Sequence, residues 1–354
     1  MRIISVDSIR GDELLARDII SSNGFLLIPA GTKVKRDYVD RLKKLDIEYL
    51  YVNDDLAREV SLQESLEIQI MDQFQGTLRD ILHNYTYHND IELVEIKKVA
   101  DDIIADVMKD SNVIYNISSI RSKSDCIYSH SLNVCALSII LAIKLKLSKS
   151  KIRDIAIGCL LHDIGMLYLN VDYSGIKLET CSKEERKEIK KHIIYGYSAI
   201  EKMEWLSPTA KDIIISHHER LDGMGYPFHL KGNKIKIGSR IAAVCDEFDS
   251  RVYGIMSNKM KVHDVIDYIV SQADVKYDYN VVNVFVESVA AYPTGTIVIT
   301  NEREMGIVLR QNPKCPTRPV IRIIRDNNGR NPEDWIVKDL TKELTLFIVD
   351  SILE

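Results

Sequence analysis

Histidine and aspartate recur through the middle of this chain in an order that suits metal binding. His130 comes first, then the adjacent pair His162-Asp163, then His192, the pair His217-His218, and finally Asp246. Imidazole nitrogen and carboxylate oxygen together suit iron, manganese or zinc better than magnesium or calcium. One aspartate can place its two oxygens on two ions about 4 Å apart, the usual spacing in two-metal hydrolases. Asp163 sits beside a histidine able to act as a terminal ligand. Consecutive helical residues point about 100° apart, so His217 and His218 share one site only beyond the end of their helix. The stretch Ser216-His217-His218-Glu219-Arg220-Leu221-Asp222-Gly223-Met224-Gly225-Tyr226-Pro227 provides that end, because a glycine-rich turn begins at once.

Each of these residues alone has a plainer reading. A single histidine in a core helix is usually hydrogen-bonded and structural, and is a ligand roughly one time in ten. Asp222-Gly223 and Gly225-Tyr226-Pro227 are, by themselves, turn signals. The combination carries more weight, since five of the nine histidines fall in one helical block in this order. Apolar residues surround them: Leu160, Leu161, Ile164, Ile193, Ile194 and Ile213 to Ile215.

The elements that must position these groups are mostly helices. Tyr128 to Leu147 is apolar on one side, and Ser150 to Leu167 carries a start signal at Ser150-Lys151-Ile152-Arg153-Asp154. Ser182-Lys183-Glu184-Glu185 is a capping box opening a helix to Met203. Ser207-Pro208 opens another that runs to His218, and Ile237 to Tyr253 and Lys261 to Gln272 complete the set. The fold expected is mainly α, a helical bundle over residues 120–290. Residues 1–60 read as a small α/β regulatory or packing module with a hairpin turn at Asn23-Gly24. Residues 61–119 read as an amphipathic helical connector, able to pair with a second chain as a homodimer. Residues 291–354 read as a small β appendage, with strands at 294–300, 306–309 and 319–324.

Composition bounds the function. At 354 residues, 45% hydrophobic and 28% charged, the chain is a globular protein of two or three domains. A net charge of −5 argues against nucleic-acid polymers as partners, which need a broad basic surface. It leaves room for a small phosphorylated ligand held by metal ions. The N-terminus lacks a signal-peptide pattern and no segment reads as a membrane span. Six cysteines are dispersed without C-x-x-C spacing, which fits a reducing, cytoplasmic setting.

These motifs resemble the HD-GYP subgroup of the HD-domain metal-dependent phosphohydrolases. The resemblance rests on His130-Ser131-Leu132-Asn133-Val134, His162-Asp163-Ile164-Gly165, His192 in Lys191-His192-Ile193-Ile194-Tyr195-Gly196, the full His217 to Pro227 string, and Asp246. It covers roughly residues 120–290. It implies an HD-type bundle holding two divalent metal ions, iron or manganese, and phosphodiesterase activity on cyclic di-GMP that yields pGpG or GMP. Carried over, His130, His162, Asp163 and Asp246 bind one ion, and Asp163, His192, His217 and His218 the other. His162 and Asp163 are then the catalytic pair, serving a hydroxide between the ions that attacks phosphorus. Tyr226, Gly225, Asp222, Arg251 and Lys259 are the candidate substrate contacts, with Glu219 and Asp222 also suited to fixing the loop.

Three positions depart from the family pattern. Cys126 stands where some members carry a glutamate ligand for a third ion, so two ions are expected. Met166 stands where the family places a lysine that contacts the substrate phosphate. After Asp246 the chain reads Asp249-Ser250-Arg251-Val252-Tyr253-Gly254-Ile255, without the family's arginine in register. A cyclic-dinucleotide sensor that binds without turnover, or a hydrolase of another phosphorylated substrate, are the alternatives these departures raise.

Overall fold

The computed structural model describes residues 2–20, 26–45, 47, 49–53, 66–88, 93–109, 115, 126–169, 177–178, 180–313, 315–332 and 334–352. The chain forms two compact units, one of residues 69–113 and 126–288, the other of 1–68, 114–125 and 289–354. The first unit is helical and contains every histidine and aspartate singled out above.

Its long helices are α2 (Leu66–His88), α3 (Ile96–Val107), α4 (Cys126–Lys144), α5 (Lys149–Leu161) and α9 (Ile237–Tyr253). Between them lie α6 (Lys183–Lys190), α7 (His192–Ile200) and α8 (Pro208–Ser216), and α10 (Val262–Ser271) and α11 (Tyr279–Val286) follow. Helix α4 packs on α5 and α9, α5 on α8, and α8 on α7 and α9. Helix α4 is buried from Tyr128 to Ala142, its polar members Ser129, His130, Ser131, Asn133 and Ser138 included. The segment Ile127–Lys144 is, among the described residues, the one helical stretch long and apolar enough to cross a membrane, and 83% of it is buried inside the protein. The apolar face of α3 (Ile96, Val99, Ala100, Ile103, Val107) is likewise buried, and the helix packs on α4 and α5 of its own chain.

Local chemistry sets the helix ends. Ser182 and Glu185 form the expected reciprocal cap of α6, and the Ser207 hydroxyl accepts from the Ala210 amide ahead of Pro208. The cap of α5 is Ser148 rather than Ser150, its hydroxyl accepting from Lys151 N. The single helix expected over 182–203 is two, broken at Lys191. The imidazole Nδ1 of His192 bonds the Ile189 carbonyl at 2.6 Å, so a side chain takes a group that a continuous helix would use.

Gly165 explains why α7 lies where it does. It belongs to a 3-10 turn, Ile164–Tyr168, that follows α5. A β-carbon at this position would stand 1.8 Å from the His192 carbonyl oxygen and 2.6 Å from Gly196 N. The turn and α7 therefore touch backbone to backbone, which only glycine permits, and this contact fixes His192 against the residues after α5.

In the second unit, β1 (Arg2–Ser5), β5 (Tyr49–Asn53) and β2 (Leu14–Leu15) form an antiparallel sheet in the order β1-β5-β2. Strands β3 (Ile19–Ile20) and β4 (Leu26–Ile28) pair as a hairpin; the Asn23-Gly24 turn lies outside the described residues. Helix α1 (Val39–Lys44) contributes Leu42 to a core with Ile4, Val6, Leu15, Val34, Leu50 and Val52. The C-terminal sheet is larger than the three strands expected. Strands β6 (Ile297–Thr300), β7 (Met305–Arg310), β8 (Val320–Arg325), β9 (Ile336–Asp339) and β10 (Ile348–Ile352) run antiparallel in the order β10-β6-β7-β8-β9. Strand β9 is an exposed edge and β10 alternates burial, so neither presents the continuous apolar run by which the inner strands are recognised.

Replacing Gly165 by alanine is expected to cost about 1–3 kcal/mol of stability or more, read as a lower denaturation midpoint. An unchanged midpoint would contradict the backbone contact.

Candidate metal centre

The ligand-type residues come from helix ends and helix faces that the packing brings to one place. His130 lies in the second turn of α4, His162 caps the C-terminus of α5 with Asp163 next, and His192 opens α7. His217 caps α8 with His218 beyond it, and Asp246 faces in from the middle of α9. His130, His162, His192 and His217 are each 1% exposed or less, Asp163 7% and Asp246 9%.

Two groups form around the two carboxylates. Asp163 Oδ2 lies 3.8 Å from His130 Nε2 and 3.5 Å from His162 Nε2. Its Oδ1 lies 3.4 Å from His192 Nε2 and 3.7 Å from His217 Nε2. Asp246 likewise offers Oδ1 to His130 Nε2 at 3.1 Å and Oδ2 to His218 Nδ1 at 3.6 Å. His130-His162-Asp163 and His192-His217-His218 each converge closely enough to hold an ion. Most of these separations are too long for hydrogen bonds. They are close to the spacing of atoms that each stand about 2.1 Å from a shared ion, roughly 3.0–3.4 Å.

The outer nitrogens support the same reading. His162 Nδ1 donates to the Cys159 carbonyl at 2.7 Å, His192 Nδ1 to Ile189, and His217 Nδ1 to Ile213 at 3.0 Å. His130 Nδ1 donates to Asp249 Oδ2 at 2.7 Å, and Asn133 Nδ2 donates to the other Asp249 oxygen at 2.7 Å. Such bonds fix the tautomer and turn the second nitrogen's lone pair inward, the arrangement that accompanies metal-ligating histidines. His192 Nε2 and His217 Nε2 are consequently buried with no hydrogen-bond partner. His130 Nε2 and His162 Nε2 face each other at 3.3 Å, a repulsive pairing of lone pairs unless a cation or proton intervenes. The donor set thus fits divalent ions.

Burial disfavours the His130 imidazolium, but hydrogen bonds to Asp246 and Asp249 outweigh it and raise the pKa to about 10. A proton there stands where an ion would. Burial pushes His217 well below its usual range, and lowers His218 to about 4. Asp163 is driven down, against the effect of its burial, by the four surrounding histidines, and Asp246 by His130 and His218.

The glycine-rich loop forms one wall of a cavity of about 520 Å³ that opens onto this cluster. Glu219, 3% exposed, accepts from Phe228 N at 2.7 Å and Leu230 N at 2.9 Å and so ties the loop back on itself. A β-carbon at Gly225 would stand 2.5 Å from Arg220 N and Glu219 Cα, so the loop closes only with glycine. Tyr226, joined to Pro227 by a cis bond, stacks on His218 with ring centroids 4.8 Å apart.

The expected substrate contacts divide. Tyr226, Gly225 and Arg251 line the cavity. Asp222 instead holds Arg220 and accepts from Met224 N at 2.8 Å, and Lys259 is exposed outside the cavity lining. Met166 is 2% exposed and does not line the cavity either, so position 166 faces packed side chains rather than a phosphate. Residues passed over in the sequence include Asp249 and Asn133, which hold His130. They also include the lining residues Arg186, Lys190, Glu247, Lys276 and Tyr277. Asn133 and Asp249 each lie three residues beyond a ligand-type residue on the same helix, and that spacing was the available signal.

Comparison with known proteins agrees with this geometry. Residues 113–281 match the HD domain, and residues 297–354 a KOW domain associated with the HD domain. The cyclic di-GMP phosphodiesterase PA4108 of Pseudomonas aeruginosa is 29% identical over 254 residues, 71% of this chain and 60% of that protein. The cyclic di-GMP phosphodiesterase PdeB of Borreliella burgdorferi is 28% identical over 199 residues, 56% of this chain and 52% of that protein. The chain thus spans between half and two thirds of the length of these relatives. The solved structure of Bd1817, an HDG"Y"P protein from Bdellovibrio bacteriovorus, superposes with a TM-score of 0.53 at 18% identity, covering 80% of this chain and 97% of that one. The His-Asp pair, the outlying histidines and the Gly-Tyr-Pro loop around one buried cluster all lie in the segment that matches the HD domain, and their order is similar to the HD-GYP signature.

Proposed function

We propose that this chain is a metal-dependent phosphodiesterase that hydrolyses cyclic di-GMP to pGpG or GMP in the cytoplasm, using two divalent ions, iron or manganese. The observation that carries the reading is the convergence of five imidazoles and two carboxylates from several helices and helix ends, all but His162 lining the cavity. Supporting it are the relatives, named as cyclic di-GMP phosphodiesterases. The cavity volume also falls within the range of small-molecule sites.

His130, His162, Asp163 and Asp246 would hold one ion, and Asp163, His192, His217 and His218 the other. Ions held there would supply charge stabilisation on the phosphate oxygens and a water of lowered pKa. The chain's own contribution is to hold the geometry in place before substrate arrives. Backbone carbonyls fix three imidazoles, and Asp249 fixes His130. Glu219 holds the loop so that Tyr226 stays stacked beside His218, where its hydroxyl and ring meet the nucleotide. Burial of the ligands excludes bulk water, which strengthens each electrostatic contact.

Three outcomes follow. Turnover of cyclic di-GMP by anaerobically purified, iron- or manganese-loaded protein should give linear product, and His162→Ala combined with Asp163→Ala should abolish it. Saturable binding without product would make the chain a sensor, and unchanged activity in the double variant would overturn the assignment. Asp249→Asn should weaken metal affinity about 10- to 100-fold, measured by competition with a chelator; no change would mean Asp249 does not orient a ligand. Because His130 keeps its proton up to about pH 10, loading at neutral pH should displace about one proton per chain from it. Apparent metal affinity should then rise with pH until that pKa is passed. Calorimetric titration in two buffers of different ionisation enthalpy reads this release, and its absence at pH 7 would contradict the ligand role of His130.

A further inference from the structure

Five basic side chains line the cavity: Arg186, Lys190, Arg220, Arg251 and Lys276. Three are tied to carboxylates. Arg220 bonds Asp222 at 2.5 Å, and Arg251 Nε and Lys276 Nζ share Glu247 at 2.6 and 2.9 Å. Arg186 and Lys190 have no carboxylate partner among the described residues. They lie four residues apart on α6 and therefore on one face of it. Two acidic residues of the same helix are engaged elsewhere: Glu185 accepts from Ser182 at the helix start, and Glu188 pairs with Lys191 at 2.5 Å.

Both cations are placed rather than loose. The Arg186 guanidinium donates to the Leu178 carbonyl, and Leu178 is itself part of the cavity wall. The Lys190 ammonium lies 4.5 Å from the centre of the Tyr226 ring, and Tyr226 stacks on His218. Two positive charges without a carboxylate partner among the described residues therefore run from the cavity wall to the edge of the histidine cluster. Position 166, where the family pattern puts a lysine, is an apolar side chain packed out of the cavity.

We propose that Arg186 and Lys190 form an anion subsite for the second, unreacted phosphate of a cyclic dinucleotide. The inference rests on the reading under Proposed function. A cyclic dinucleotide carries two phosphodiesters, and when one sits at the metal centre the other still carries a full negative charge. Placed in the cavity without a partner, that charge costs binding. Set against α6 it gains charge-assisted hydrogen bonds, which strengthen binding of the whole ligand and so lower KM. The pair thereby selects ligands with two phosphates over those with one.

The test compares cyclic di-GMP with bis(p-nitrophenyl) phosphate, which has a single diester, on the metal-loaded full chain. The double variant Arg186→Gln/Lys190→Met is expected to lower kcat/KM for cyclic di-GMP about 10- to 100-fold, with the loss falling on KM. The loss on the simple diester should be smaller by at least about tenfold. Arg186→Lys/Lys190→Arg, which keeps both charges, should recover most of the difference. Equal losses on both compounds, or an unchanged KM for cyclic di-GMP, would overturn the subsite. If the wild type cleaves the simple diester but not cyclic di-GMP, the proposed function fails by itself. The subsite is then read from inhibition of the simple reaction by cyclic di-GMP. Stronger inhibition of the wild type than of the double variant supports it, and equal or absent inhibition refutes it.

Discussion

Buried lone pairs that face one another are the constraint on which this structure turns. Four imidazoles are shut away from water with their outer nitrogens already engaged, three by main-chain carbonyls and one by Asp249. Their inner nitrogens point at two carboxylates and at each other. A core so made is costly unless positive charge fills its centre. A protonated His130, its Nδ1 facing Asp249 and its Nε2 facing Asp246, partly meets that need. Divalent ions would meet it fully, and the donor set has the chemistry to receive them.

The helical framework serves that centre. Helices α5 and α8 bring in His162 and His217 just beyond their last residues and α7 brings in His192 as its first, so the packing gathers groups that no single helix could present. The break at Lys191 and the bare backbone at Gly165 bring α7 down onto the turn after α5. The glycine-rich loop then covers the cluster from the other side. Its shape depends on one carboxylate, Glu219, and on the lack of a side chain at Gly225. Asp222 works within the same loop, clamping Arg220. The residues of the His217 to Pro227 string thus include both ligand-type side chains and groups that fix the loop, and their spacing reflects loop closure as much as chemistry.

Much of the site was legible in the sequence because histidine and aspartate are conspicuous among apolar helical residues. Residues such as His162, Asp163 and His217 could be named from type and setting, and the structure brings them together. The helices were legible from periodicity and from caps such as Ser182 and Ser207. What escaped notice has physical reasons. Asn133 and Asp249 act on His130 rather than on the cavity, so nothing in their type distinguished them. Arg186 and Lys190 sit in a stretch crowded with Lys and Glu that reads as a solvated face; only the fold shows which members turn to the cavity. Met166 was placed at a phosphate by analogy of position, whereas packing around the 3-10 turn buries it. Strands β9 and β10 lack a buried run, and α11 is short, so periodicity alone was too weak to mark them.

The central claim is that the carboxylate of Asp163 stands between two cations, with His130 and His162 on one side and His192, His217 and His218 on the other. Anomalous diffraction from crystals of manganese-loaded protein, collected near the manganese edge, tests it most directly. Two peaks flanking Asp163 at bonding distance from those imidazoles are predicted. Peaks elsewhere, or none in a crystal whose protein carries stoichiometric manganese, would contradict it.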